Sequence, residues 1–158
     1  MNKWTRKYLK VAKVLAEDNN SCKSRQLGGV LVTEDNIPIT LGYNGSAKCL
    51  PHSDSREWLN FLYDKLLDEE IKSLFWDKET FINDCWGQCP RRFLNIKSGE
   101  RLDLCNCSHL ERNLIYHAAY CGHPTKKSHM FIYSPLPCNE CAIAIIHAGI
   151  KKVTCLLA

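Results

Sequence analysis

The sequence predicts a three-layer α/β domain, with one mixed sheet between helices on its two faces. Three observations predict it: an amphipathic stretch at the start, a hairpin pattern behind it, and helices alternating with strands over the C-terminal third. In residues 3–18, Trp4, Tyr8, Val11 and Leu15 recur at helical spacing with lysines between them, ending near Asp18, Asn19 and Asn20. Residues 27–33 and 37–43 are short apolar runs around Glu34, Asp35 and Asn36, as in a β-hairpin. Pro38 weakens only the start of the second strand. GYNGSAKCLPHSDS is loop, after which Ser53 or Asp54 is expected to cap a helix over about 55–73 with Trp58, Leu59, Leu62, Leu66 and Leu67 on its apolar face. Residues 77–107 show little periodicity but hold Cys85, Cys89, Cys105 and Cys107, so a metal is expected to order them where a core cannot. From His109 the pattern is helix, strand, helix, strand, with Gly149 as the stop of the last helix.

A length of 158 residues fits one domain, with an insert at about 46–107 between the hairpin and the helix that starts at His109. Apolar residues at 45% and charged residues at 24% exclude a disordered or fibrous chain. The net charge of +4 suits a phosphorylated small molecule and does not demand nucleic acid. Lys10, Lys13 and Glu17 break the N-terminal apolar residues, so neither a signal peptide nor a membrane span is expected, and the expected compartment is the cytoplasm. The ten cysteines then point to metal rather than to disulfides.

His109-Leu110-Glu111 opens one expected helix, and Pro137-Cys138-Asn139-Glu140-Cys141 opens another. A catalytic zinc takes three protein ligands and keeps one position for water, which His109, Cys138 and Cys141 together supply. Two cysteines three residues apart on a first helical turn can face one ion, and the helix N-terminus favours their thiolates. Metal coordination lowers the pKa of a bound water towards neutrality, which suits attack on C4 of a cytosine ring. Glu111, two residues past the histidine, is the expected general acid and base: it takes the water's proton, delivers one to N3 and assists the departure of ammonia. Alone, a Cys-x-x-C also fits a redox pair or half of a structural zinc site, and a His-x-Glu fits ordinary solvation of a helix start. Their conjunction, one strand apart, is the general pattern of zinc nucleobase deaminases.

LPCNECAIAIIHAGIKKV resembles the corresponding stretch of deoxycytidylate deaminases from animals and phages. LGGVLVTEDNIPITLGYNG resembles their first hairpin and Gly-Tyr-Asn-Gly loop, SHLERNLI their His-Ala-Glu helix, and CPRRFLNIKSGERLDLC the region before that helix in some phage and bacterial members. The resemblance covers most of residues 4–157. It implies a cytidine deaminase-like fold and hydrolytic deamination of dCMP to dUMP with release of ammonia. It also implies dCTP and dTTP as effectors and a homo-oligomer, since hexamers are frequent in the family.

By the same resemblance, Asn44 contacts the substrate's sugar or base, although Asn44 and Gly45 also make an ordinary turn. Leu110 replaces the family's usual alanine and adds bulk beside the pocket. Arg25, ahead of the first strand, and Ser134, after the strand that precedes Cys138, complete the expected substrate-binding set of Asn44, Arg25, Leu110 and Ser134. Lys23, Arg25, Lys48, Arg91, Arg92 and Arg112 are the candidate phosphate partners, and the sequence does not choose among them. Many relatives continue past the fourth strand, where this chain reaches Ala158, so a subunit partner is expected to cover that sheet edge.

Some phage relatives carry a second, structural ion, held by a cysteine before the first strand and by residues of the insert, and Cys22 stands at the matching place. The expected set is Cys22, Cys49, Cys89 and Cys105, out of candidates that include Cys85, Cys107 and His52; the alternative is that several are small buried hydrophobes. Cys121 and Cys155 read as core, and His117, His123, His129 and His147 as ordinary helix or loop residues.

Two other functions compete. One keeps the chemistry on a nucleoside, a modified dCMP or nucleic acid, for which Trp58, Trp76 and Trp86 would stack on bases. The other is a non-catalytic, zinc-stabilised binding module, against which Glu111 argues, since a structural site has no use for an unliganded carboxylate there.

Overall fold

The computed structural model describes residues 1–19, 21–47, 50–97 and 99–156. In chain order its elements are α1 (Lys3–Glu17), β1 (Gly28–Val32), β2 (Pro38–Tyr43), β3 (Gly45–Ser46), α2 (Arg56–Lys65), α3 (Glu69–Lys72), α4 (Lys78–Cys85) and α5 (Pro90–Phe93). A 3-10 turn (Leu102–Leu104), β4 (Cys107–Ser108), α6 (Leu110–Tyr120), β5 (His129–Tyr133), α7 (Asn139–His147) and β6 (Lys152–Leu156) follow. They gather into two compact units, one of Met1–Asn20, Gln26–Asn44 and Ser108–Ala158, the other of Ser21–Arg25 and Gly45–Cys107.

The first unit is the three-layer sandwich that the alternating pattern predicts. Its sheet runs β2-β1-β5-β6; β1 is antiparallel to β2 and to β5, and β5 is parallel to β6. Successive strand residues point to opposite faces. Val30, Val32 and Phe131 therefore pack against Tyr8 and Leu9 of α1, while Leu31, Met130 and Ile132 pack against Leu110, Leu114 and Ala118 of α6 and Ile145 of α7. Asn2 caps α1 by accepting from the Thr5 amide at 2.8 Å. A side chain at Gly28 would come within 2.2 Å of the Ala12 carbonyl, so glycine lets α1 lie directly on β1. Pro38 pairs with Val32 across a register shift, confining its missing amide to an irregular strand end. Gly149, at φ 69°, ends α7 as its sequence position predicts.

The second unit corrects two expectations. The single helix over 55–73 is two helices, capped at Ser55 rather than at Ser53 or Asp54. The break falls at Leu66, whose carbonyl accepts from Nη2 of Arg101 at 2.6 Å, while Leu67 turns into the core. The stretch expected to lack a core has one: Leu59, Leu62, Leu67, Phe81, Ile82, Cys85 and Leu104 are buried together, flanked by Phe75 and Phe93. Phe81 stacks edge-on against Phe75 with ring centres 5.1 Å apart, so aromatic packing contributes order to a stretch whose sequence shows little periodicity. Among the described residues no helix is long and apolar enough to cross a membrane.

Candidate active site and metal centre

The first unit brings His109, Cys138 and Cys141 together. His109 is the N-cap of α6 and Cys138 the N-cap of α7, both with extended backbone, and Cys141 lies in the first turn of α7. Neither helix start has a side-chain cap, so the field of both termini is directed at this cluster. The Nδ1 of His109 lies 3.4 Å from Sγ of Cys138 and 3.4 Å from Sγ of Cys141. A tetrahedral zinc with bonds of about 2.05 Å to nitrogen and about 2.3 Å to sulfur holds such a pair about 3.6 Å apart. Among the described residues this is the one group of potential ligands whose atoms all lie within 4.8 Å of one another.

The donor set fits a cation chemically as well as geometrically. Burial first, and the Glu111 carboxylate second, push the Cys141 thiol up, so without a positive charge beside it the sulfur keeps its proton at neutral pH. A cation held by these residues would reverse that balance. Glu111 is itself buried, at 3% exposure, and its carboxylate reaches the Cys141 sulfur.

The loop after β2 is tied to the same helix. Nδ2 of Asn113 donates to the Tyr43 carbonyl at 2.9 Å. Next to it, buried Asn44 has its side-chain oxygen engaged by the Leu27 amide at 2.9 Å and by Nδ2 of Asn19 at 2.8 Å. That oxygen therefore fixes the loop. Ser134 is buried at the end of β5, on the path to Cys138. Leu110 is fully buried among Leu31, Leu114 and Met130, so its bulk is taken up by the core.

Arg25 belongs to the second unit, where it is exposed and its amide points at the sulfur of Cys22. Of the other phosphate candidates, Arg91 donates to the Glu100 and Lys97 carbonyls, Arg92 to the Ser24 hydroxyl, and Lys23 lies 3.8 Å from Asp54. Lys48 lies outside the described residues. Arg112 is the one candidate in the same unit as the metal cluster.

The insert cysteines form a looser array. The side chain of Cys22 is hydrogen-bonded to Cys107, Cys107 to Cys105, and Cys105 to Cys89. Amides of Ser24 and Arg25 also point at the Cys22 sulfur, and those of Arg91 and Arg92 at that of Cys89. Contact with Cys107 brings the Cys22 thiol down to about 6, whereas burial pushes the Cys85 thiol up to about 12. Cys22, Cys89 and Cys105 of the expected set are thus joined by Cys107; Cys49 lies outside the described residues. Cys107 was legible as a candidate, but no local spacing marked it above the others.

The sequence profile described as the cytidine and deoxycytidylate deaminase zinc-binding region matches residues 2–157. The chain belongs to this deaminase family. Among solved structures, the dCMP deaminase of cyanophage S-TIM5 in its apo form is 18% identical with a TM-score of 0.59, covering 98% of this chain and 84% of that one. The same cyanophage enzyme in complex with dCMP and dUMP gives a TM-score of 0.56 at 18% identity, covering 98% of this chain and 82% of that one. At that identity the likeness bears on the fold, which is cytidine deaminase-like. None of the curated protein sequences matches. Family membership makes the protein a deaminase with a zinc-binding region, and the cluster at His109, Cys138 and Cys141 has the ligand chemistry for such an ion.

Proposed function

We propose that the protein hydrolyses dCMP to dUMP and ammonia, with Glu111 as the proton carrier. One observation carries the reading: a buried carboxylate stands beside three ligand atoms spaced for a single zinc. The complex of the cyanophage enzyme with dCMP and dUMP supports a nucleotide as the substrate. A zinc held there would supply an acidified water as the nucleophile for C4 of the ring. Glu111 would take one proton from that water and pass it to N3 as the oxygen bonds to C4, then take the second proton from the new C4 hydroxyl and give it to the amine as the C4–N bond breaks and ammonia leaves. His109, Cys138 and Cys141 hold the ion, and Asn44 and Ser134 border the substrate. In the structure Leu110 packs into the core, so we give it no contact with substrate.

The test compares ammonia release from dCMP, deoxycytidine, cytidine and single-stranded DNA, on wild type and Glu111→Gln. Turnover is expected to be fastest on dCMP and to fall by about 10²–10⁴-fold in Glu111→Gln with zinc retained. Equal activity in the two proteins would end the mechanism, and a preference for another substrate would end the assignment of dCMP.

We further propose a second, structural zinc in the insert, held by Cys22, Cys89, Cys105 and Cys107. Paired backbone amides aimed at the Cys22 sulfur support that role, and a second pair aimed at Cys89 works against the Cys105 contact and the burial that push the Cys89 thiol up overall. Self-association is supported by exposed apolar side chains on two helices, Tyr116 and Tyr120 on α6 and Ile143 and Ile146 on α7. Regulation by dCTP and dTTP and a cytoplasmic location rest on the family resemblance and on the sequence.

A further inference from the structure

Arg112 has a buried Nε with no hydrogen-bond partner. Leaving a buried donor unmade is costly, so such an atom asks for an explanation. Its Nη1 lies 3.8 Å from Oε2 of Glu140, within ion-pair reach but too far for a hydrogen bond. The two residues occupy telling places. Arg112 sits in the first turn of α6, three positions after His109, and Glu140 stands between Cys138 and Cys141 at the start of α7. Among the described residues theirs is the ion pair that joins α6 to α7.

We propose that Arg112 and Glu140 are a positioning pair that braces the two helix starts and so presets the spacing of the zinc ligands. The Glu140 side chain is 78% exposed and free to turn, so its carboxylate can swing from Nη1 to the guanidinium edge that carries the unpaired Nε together with Nη2. A carboxylate seated on one edge of a guanidinium through two parallel hydrogen bonds fixes orientation as well as distance. With the helix starts held, His109 and the two sulfurs have less freedom to lose when an ion binds, and affinity rises. The inference rests on zinc at this cluster and not on the choice of substrate.

The experiment is a double-mutant cycle on zinc affinity, with the dissociation constant measured by chelator competition for wild type, Arg112→Gln, Glu140→Gln and the double variant. Each single change is expected to weaken zinc about five-fold, and the double variant by the same factor rather than by the product. The melting temperature of the metal-free proteins is expected to stay put. Arg112→Lys, which keeps the charge and loses the fork, should weaken zinc by less and serves if Arg112→Gln does not fold. Multiplicative effects, unchanged affinity, tighter zinc in Glu140→Gln, or a metal-free melting temperature that falls in step would each overturn the brace. Failure of wild type to bind zinc sinks the metal reading itself, and failure on dCMP sinks only the substrate.

Discussion

His109, Cys138 and Cys141 come from two helix starts of one unit, whereas Cys22, Cys89, Cys105 and Cys107 come from a loop, helix ends and the short strand β4 in the other. The first group is already at ligand distance, with 3.4 Å from the imidazole to each sulfur. The second is a chain of thiols in which neighbours touch, and it does not close to 4.8 Å as a group. A catalytic site gains from being built before the ion arrives, because misplaced ligands misplace the water. A structural ion can instead do its own gathering, since its binding energy is spent on folding.

The largest expected effect breaks the first cluster. Cys141→Ser should abolish both zinc retention at the site and ammonia release, while the insert keeps its fold; zinc content and tryptophan fluorescence, read together, check this. Retained activity would remove the three-ligand site from the mechanism. Next comes Phe81→Ala, which empties a fully buried aromatic position of the insert core. It should cost about 3–5 kcal/mol, read as a fall in the denaturant midpoint with wild-type zinc at His109, Cys138 and Cys141. A negligible cost would mean that metal, and not packing, orders the insert.

A smaller and sharper comparison sets Cys107 against Cys85. Both lie in the insert, but Cys107 contacts two other thiols, whereas Cys85 is packed in the apolar core and its thiol is pushed up to about 12 by burial. Cys107→Ser is expected to lower metal content from two ions per chain to one, and Cys85→Ser to leave both. One ion in the wild-type protein would sink the second site outright.

How much of this was legible follows from the same contrast. The cluster of His109, Cys138 and Cys141 was readable because each sits within three residues of a motif partner at a helix start, a spacing the chain itself enforces. The hairpin and the terminal strands were readable from short apolar runs that become faces of one sheet. Nothing local announced the insert. Its helices α3 and α5 have four residues each, too few for a period, and its core joins Phe75, Phe81 and Phe93 with leucines from α2. Cys107 meets the carbonyl of Ser21 across 86 residues, a pairing set by the fold rather than by spacing.

The mildest prediction concerns the catalytic unit away from its metal. His129 starts β5, the strand whose other end leads towards Cys138, and its Nε2 lies 2.9 Å from the Thr154 hydroxyl. Burial first, and Lys152 second, bring its pKa down to about 4 from the ordinary 6.5. The folded protein therefore takes up this proton later than the unfolded chain does. Between pH 6.5 and about 4 the unfolded state is favoured progressively, and below about 4 both states carry the proton. His129→Gln should flatten that acid limb of the melting temperature, and zinc affinity at neutral pH should not move. If zinc weakened as well, the start of β5 would be coupled to the helix ends that hold the metal, and the contrast between a preset site and its scaffold would need redrawing.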